Sequence, residues 1–219
     1  ILSVPTIITT GTGTVPVKAA GDTVELTVSS ESAKYAGYET RKMYAGGNYA
    51  YCVQPSKKTP QSGTYEKHYD VENYVSNAGD ETQAVQSRNL AYYCWGAPGF
   101  NASYFPSTWY DGSAMDDDKY IALSHIMLSF LVSYDEVGSM HGCNSSFKNW
   151  VYQNVLGYNA NGDLVNGQAT LPILCWSAAP ASFKVYILST GSATQNILGY
   201  EYTPTGTVSL SKTSANTGI

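Results

Sequence analysis

Segments typical of β-strands lie towards both ends of the chain, and segments typical of helices lie between them. Thr23–Val28 alternates polar and apolar residues with a period of two, as a half-buried strand does. Helical patterns occupy about residues 80–156, and strand character returns over about 170–203. This order indicates an α+β fold, here with an antiparallel β-sandwich or barrel-like core and an inserted helical subdomain.

A pair of glycines marks the first hairpin. The run Lys42–Tyr44 precedes Gly46 and Gly47, and the chain returns as Tyr49–Val53. Glycines supply the positive φ angles that tight hairpin turns require. We therefore expect two antiparallel strands, with Cys52 near the end of the second.

Three more strands are expected in the last third of the chain. They are Leu171–Trp176, Phe183–Leu188 and Gln195–Tyr202. The last two are separated by Ser, Thr, Gly and Ala at positions 189–193, which is typical of a hairpin turn.

The helical region divides into three predicted helices. The first covers Thr82–Tyr93 and ends before a segment rich in glycine and proline. The second begins at the carboxylates of residues 116–118, which suit a helix N-terminus, and runs to about Ser133. Its apolar residues surround it on most faces, so it is expected to be the buried central helix. The third covers Phe147–Leu156 and is capped by Asn144.

The charge pattern limits the partners of the chain. The net charge is −5, only 13% of the residues are charged, and no basic run occurs, so nucleic-acid binding is not expected. No run of 18 or more apolar residues occurs either, which argues against membrane insertion of this segment. Nineteen tyrosines stand among abundant Gly, Ser, Thr and Asn, a mixture common in secreted and surface proteins.

The four cysteines are at positions 52, 94, 143 and 175. None has C-x-x-C spacing, so no metal site is expected, and no residues suggest a cofactor. An even count in a secreted chain permits two disulfides in three pairings, and Cys52 as a half-cystine is one alternative. If Cys52 is bonded to carbon instead, at most one disulfide remains among the other three, with the pairing open.

Four segments resemble signatures of thioester domains, which are found at the tips of Gram-positive adhesins. Tyr51–Ser56 (YCVQPS) looks like the first signature, and Leu90–Gly99 is similar to the segment after the first helix. Ala122–Ser129 stands where many members have a Thr-Gln-x-Ala-Ile-Trp-like helix, and Thr194–Leu198 (TQNIL) looks like the last signature. The resemblance covers roughly residues 22–203.

The resemblance implies an internal thioester between Cys52 and Gln195. In such a bond the cysteine sulfur attacks the glutamine carboxamide and ammonia leaves, so a reactive acyl group is stored in the folded protein. Gln54 and Gln83 are rival acyl donors. Tyrosines at positions 49, 51, 200 and 202 are expected to supply apolar walls with polar tips.

His125 departs from the pattern of the family, because many members carry glutamine at this place. Its functional interpretation is a neighbour of the thioester that accepts a proton from the thiol or from an incoming ammonium. The alternative is a buried, hydrogen-bonded histidine without a chemical role. His68 and His141 lie in loop-like segments and are expected at the surface.

The function that the resemblance implies is covalent capture of an amine, such as a lysine of a host surface protein, in a single turnover and not as an enzyme. One alternative is a non-covalent binding module for glycans or proteins that uses exposed tyrosines and Trp109. Another is a cysteine hydrolase or acyltransferase built on Cys94-Trp95 or Cys175-Trp176, with His125 or His141 as base.

Residues 1–203 are expected to form the thioester adhesin domain, with residues 1–20 as an extended arm or a loose first strand. Residues 204–219 are expected to be a linker and the first strand of an immunoglobulin-like stalk repeat. They resemble a Cna B-type repeat in which Lys212 forms an isopeptide bond, and a flexible tail is the alternative. The implied molecule is a monomer at the tip of a longer stalk, secreted and anchored to a bacterial cell wall.

Overall fold

The structure is a computed structural model that describes residues 21–159 and 161–204. The expected arm at residues 1–20 and the expected stalk strand after residue 204 lie outside the described residues. The strands are β1 Thr23–Tyr35, β2 Tyr38–Ala45, β3 Asn48–Cys52, β4 Gly63–His68, β5 Phe183–Leu188 and β6 Ile197–Tyr202. The α-helices are α1 Glu81–Tyr93, α2 Asp117–Ser133, α3 Glu136–Ser139, α4 Ser145–Val151 and α5 Thr170–Cys175. Short 3-10 turns cover Val71–Asn73 and Ala102–Tyr104, and a π-helical turn covers Tyr152–Leu156.

The six strands form a closed antiparallel barrel in the order β1-β2-β3-β6-β5-β4. The helices are inserted between β4 and β5. The predicted α+β fold with a barrel-like core and an inserted helical subdomain is therefore confirmed. Ring closure brings β3, from the first third of the chain, beside β6, from the last.

Side-chain alternation in the strands separates two apolar cores. The smaller core consists of residues from the strands, among them Met43, Ala50, Cys52 and Ile197, and fills the barrel. The larger core contains Tyr51 with neighbouring strand residues and the buried faces of the helices. Successive residues of β3 thus face opposite cores, and Cys52 belongs to the barrel interior.

Helix α2 is the buried central helix, as predicted. The Asp116 carboxylate caps it by accepting a hydrogen bond from the Lys119 amide at 3.0 Å. The helix ends at Tyr134, whose left-handed φ of +50° turns the chain towards Asp135. Most of its residues, including His125, are buried, so the helix lies between the barrel and the other helices.

Two sequence-based expectations about elements were wrong. Leu171–Trp176 was expected to be a strand, but α5 occupies Thr170–Cys175. Pro172 fits there because the first turn of a helix does not use its backbone N–H groups as intrahelical donors. The expected strand at Gln195 begins only at Ile197.

The prediction for one histidine also needs correction. His68 lies at the end of β4, a strand whose sequence shows no clear alternation, and not in a loop. Its ring is half-buried and packs on Tyr74 with the ring centroids 5.0 Å apart. His141 is exposed, as expected.

Candidate functional site

Cys52 is the last residue of β3 and is 3% exposed. It pairs with Ile197 at the beginning of β6, and both side chains belong to the barrel core. The next backbone hydrogen bond, from the Val53 amide to the Asn196 carbonyl at 3.1 Å, continues the ladder past the strand end. The thiol therefore lies at the end of the barrel where β3 and β6 meet.

Gln195 lies two residues before the cross-strand partner of Cys52. Diagonal neighbours of this kind are roughly 7–8 Å apart, within reach of a long side chain. The Gln195 side chain is buried, and its amide nitrogen donates to the Lys57 carbonyl at 2.9 Å. Its carbonyl oxygen is buried without a hydrogen-bond partner among the described residues. A buried oxygen without a partner lowers the stability of the fold by about 1–3 kcal/mol. Residues with a purely structural role seldom carry such an unsatisfied atom.

The loop after Cys52 is hydrogen-bonded to the residues before β6. The backbone amide of Gln195 donates to the Lys58 carbonyl at 3.0 Å, and the backbone amide of Asn196 donates to the Gln54 side-chain oxygen at 3.2 Å. Thr194 and Lys58 also form an isolated parallel bridge. These contacts fix the two segments relative to each other, which is what a reaction between side chains distant in sequence requires.

A second anchor of this loop is Asp135, a residue that no sequence pattern singles out. Its carboxylate accepts hydrogen bonds from the Ser56 amide at 2.8 Å and from the Ser56 hydroxyl at 2.5 Å. Gly138 contacts the same position, since a β-carbon there would lie 2.5 Å from the Ser56 hydroxyl. The end of α2 and the start of α3 thus hold the loop that follows the cysteine.

Burial raises the pKa of the Cys52 thiol well above its ordinary value. A hydrogen bond from the Gln54 backbone amide opposes this shift, and the negative charge of Asp135 adds to it. The thiol is therefore protonated at neutral pH. Any reaction through its sulfur needs a proton acceptor, because the thiolate is the nucleophile.

His125 is a candidate for that acceptor. It lies in the middle of α2 with a 4% exposed side chain, and burial lowers its pKa to about 4. A hydrogen bond with the backbone of Cys52 and the charge of Asp135 oppose the shift. Its Nε2 atom is buried and has no hydrogen-bond partner among the described residues. The imidazole is thus neutral at physiological pH and directly beside the backbone of the cysteine.

The two rival acyl donors, Gln83 and Gln54, have different hydrogen-bond partners. Gln83 lies in the first turn of α1, and its side-chain amide nitrogen donates to the Ser76 hydroxyl at 2.9 Å and to the Leu131 carbonyl at 2.6 Å. Gln54 directs its side-chain oxygen to the Asn196 amide. The described contacts of Gln83 thus tie it to the end of α2, and those of Gln54 make it part of the junction between the two segments.

The tyrosines of β3 and β6 have a different place from the one expected. Tyr49, Tyr51 and Tyr200 are buried in the larger core, on the face of the strands opposite to the barrel interior. The Tyr51 hydroxyl donates to the Trp95 carbonyl at 2.9 Å, and the Tyr200 hydroxyl donates to the Gly96 carbonyl at 2.8 Å. They join the barrel to the segment after α1, so their described contacts are structural. Tyr202 is half-buried.

The residues of the alternative functions are mostly buried. All four cysteines are buried and unpaired, and burial raises the pKa of Cys94 to about 12. Trp109, which was expected to be exposed, is 4% exposed and packs against Phe147 and Trp150. The exposed tryptophan is Trp176, at 70%. The described residues thus place neither Cys94 nor Trp109 at the surface.

Within residues 21–159 and 161–204, no group of three or more His, Cys, Asp or Glu side chains is arranged to hold a metal ion. Over the same residues, no helix combines the length and the apolar character needed to cross a bilayer.

Comparison with known proteins identifies one family. A family model described as "Thioester domain" matches residues 23–161, more than half of the chain. Cys52 and His125 lie inside the matched segment, and Gln195 lies beyond it. No curated protein and no solved structure matches the chain. The extent of the family match shows that the chain belongs to the thioester domain family.

Proposed function

We propose that Cys52 and Gln195 form an internal thioester with which the domain captures an amine covalently. The observation that carries this proposal is the register of β3 and β6. It places the cysteine opposite Ile197 and the glutamine two residues away, with the buried carbonyl oxygen unpartnered. Membership in the thioester domain family supports it.

In the forming step, the Cys52 thiol loses its proton and the sulfur attacks the carboxamide carbon of Gln195. The carbon–sulfur bond forms, the carbon–nitrogen bond breaks, and the nitrogen leaves as ammonia with the proton of the thiol. His125 is proposed to carry that proton, because its imidazole is neutral and lies at the backbone of Cys52. Fixed geometry compensates for the poor reactivity of an amide, since aligned groups reach effective molarities of about 10⁵ M or more.

The proposed biological role is that of an adhesin. The acyl group is transferred to an amine, here proposed to be a lysine of a host surface protein, and an amide results. The cysteine is released in the same step, and the protein does not turn over. The proposed location is outside the cell, as a monomer at the tip of a cell-wall-anchored stalk.

Intact mass of freshly purified protein tests the proposal. The wild type is expected to be lighter than its sequence by one ammonia, and methylamine is expected to restore that mass and add its own methyl group. Cys52→Ala and Gln195→Ala are expected to show the full sequence mass and no methylamine incorporation. Cys94→Ala is the matched control, since it removes another buried thiol and should keep the deficit.

Several outcomes would contradict the assignment. A wild-type protein with the full sequence mass and no amine uptake would exclude the thioester. A deficit that persists in Gln195→Ala but disappears in Gln54→Ala would assign the acyl group to Gln54. Repeated turnover of an ester or peptide would favour a hydrolase.

A second candidate is a non-covalent binding module, because the surface carries a cleft of suitable size. The cleft has a volume of about 560 Å³ and is lined by tyrosines and side-chain amides, among them Asn149, Tyr152, Gln153 and Tyr158. Part of its wall is the π-helical turn, a feature that is frequent at functional sites. Cell binding that survives Cys52→Ala and is lost in Gln153→Ala would favour this function.

A further inference from the structure

A small cavity opens beside the Gln195 side chain. Its volume is about 130 Å³, and its wall includes Tyr38, Glu39, Arg41 and Met43 from β2. This is well below the roughly 300–1,000 Å³ of pockets for drug-sized ligands. The cavity suits a narrow, unbranched chain better than a ring system.

Two residues of the cavity wall, Tyr38 and Met43, are also related to Cys52. Met43 belongs to the same barrel core as Cys52. Burial raises the pKa of Tyr38 to about 12, and the charge of a Cys52 thiolate is the next largest cause, so the phenol lies within electrostatic reach of the sulfur. Residues around the cavity thus reach both partners of the proposed bond.

The two charged side chains of the cavity wall, Arg41 and Glu39, differ in their contacts. The Arg41 guanidinium donates to the Ser30 carbonyl at 2.5 Å. Glu39 is exposed, and its carboxylate forms no ion pair within residues 21–159 and 161–204. Its cross-strand partner on β1 is Lys34. An exposed carboxylate in the wall of a narrow cavity favours the approach of a cation.

We propose that this cavity is the entrance through which an unbranched alkylammonium, such as a lysine side chain, reaches the acyl carbon of Gln195, and that Glu39 attracts its positive charge. This inference rests on the proposed thioester. The amine loses a proton to water and attacks as the neutral form. The carbon–nitrogen bond forms, the carbon–sulfur bond breaks, and Cys52 takes up the remaining ammonium proton as it leaves.

Labelling rates of Glu39→Gln test the inference. With methylamine, which is cationic at neutral pH, the rate is expected to fall about two- to fivefold at low salt, the range for one exposed charge pair. High salt is expected to remove most of the difference. Arg41→Gln is expected to raise the rate, because it removes the opposing charge.

Two controls separate charge from structure. Hydroxylamine is uncharged at neutral pH, so Glu39→Gln should react with it at the wild-type rate. Glu81→Gln makes the same change in net charge on α1 and should leave both rates unchanged.

The mass deficit distinguishes the possible failures. A normal deficit in Glu39→Gln with unchanged methylamine rates would overturn the entrance and leave the thioester intact. An equal slowing with hydroxylamine would overturn the role of the Glu39 charge. A wild-type protein without a deficit would overturn the thioester and this inference with it.

Discussion

The buried imidazole of His125 makes the free energy of unfolding depend on pH. Its pKa is about 4 in the folded protein and about 6.5 as the ordinary value. The unfolded chain therefore binds a proton more readily than the folded one, and stability is lost as the pH falls through this window. Between pH 7 and pH 4.5 these two values correspond to a loss of about 2–3 kcal/mol in the free energy of unfolding.

The measurement compares a protein that retains His125 with one that carries His125→Gln, whose side chain cannot titrate. Both are placed in a Cys52→Ala background so that a covalent bond at Cys52 does not contribute to stability. Urea unfolding of each at pH 7 and pH 4.5 gives four free energies of unfolding. The two proteins differ only at residue 125, so the contributions of groups that are independent of this position largely cancel in the difference of differences.

The variant with His125 is expected to lose about 2–3 kcal/mol more than His125→Gln over this pH range. Equal losses in the two proteins would show that the imidazole is not held neutral by burial. That result would also remove the physical basis for His125 as a neutral proton acceptor beside Cys52.

Two further substitutions test the frame around the site. Gly96→Ala is expected to cost more than about 1–2 kcal/mol in the free energy of unfolding, because φ is +85° and the new β-carbon would lie 2.8 Å from the Tyr49 β-carbon. Gly112→Ala has a similar φ of +82° but nothing within 4 Å, so an equal cost in thermal or urea unfolding would disprove the steric argument. Asp135→Ala is expected to cost about 1.5–3 kcal/mol and to slow the appearance of the mass deficit, because it removes both acceptors of the Ser56 loop. A wild-type rate of formation in Asp135→Ala would mean that this loop does not need the anchor.

The barrel could be anticipated where the sequence carries local signals. The glycine pair at 46–47 has φ angles of +58° and +85° and joins β2 to β3, as its residue types require. Phe183–Leu188 was expected with the bounds that the structure shows for β5. In both cases the turn chemistry and the strand pattern agree with each other.

The secondary structure of other segments could not be predicted from the sequence, because it depends on tertiary contacts. Leu171–Trp176 is a short apolar run, and such a run does not distinguish a buried strand from a helix. The structure resolves it as α5, where the Cys175 carbonyl accepts a hydrogen bond from Asn89 of α1 at 3.1 Å. Strand β4 lacks alternation and depends on its pairing with β1 and β5.

The candidate site shows the same division. The family resemblance identified Cys52, Gln195 and His125 as site residues, and it rested on the order of the motifs along the chain. Asp135 and Glu39 were not anticipated, because an acidic residue in a loop or on an exposed strand position has no distinctive sequence context. Only the fold brings them to the cysteine loop and to the cavity at Gln195.

The position of Gln195 directly before β6 has a mechanical consequence. If an amine is bonded to its side chain, tension between that amine and the chain beyond Tyr202 passes along β6 and does not cross the helices inserted between β4 and β5. Antiparallel pairing with β3 and β5 on either side resists the extraction of that one strand. The rest of the domain can then deform under load without breaking the attachment.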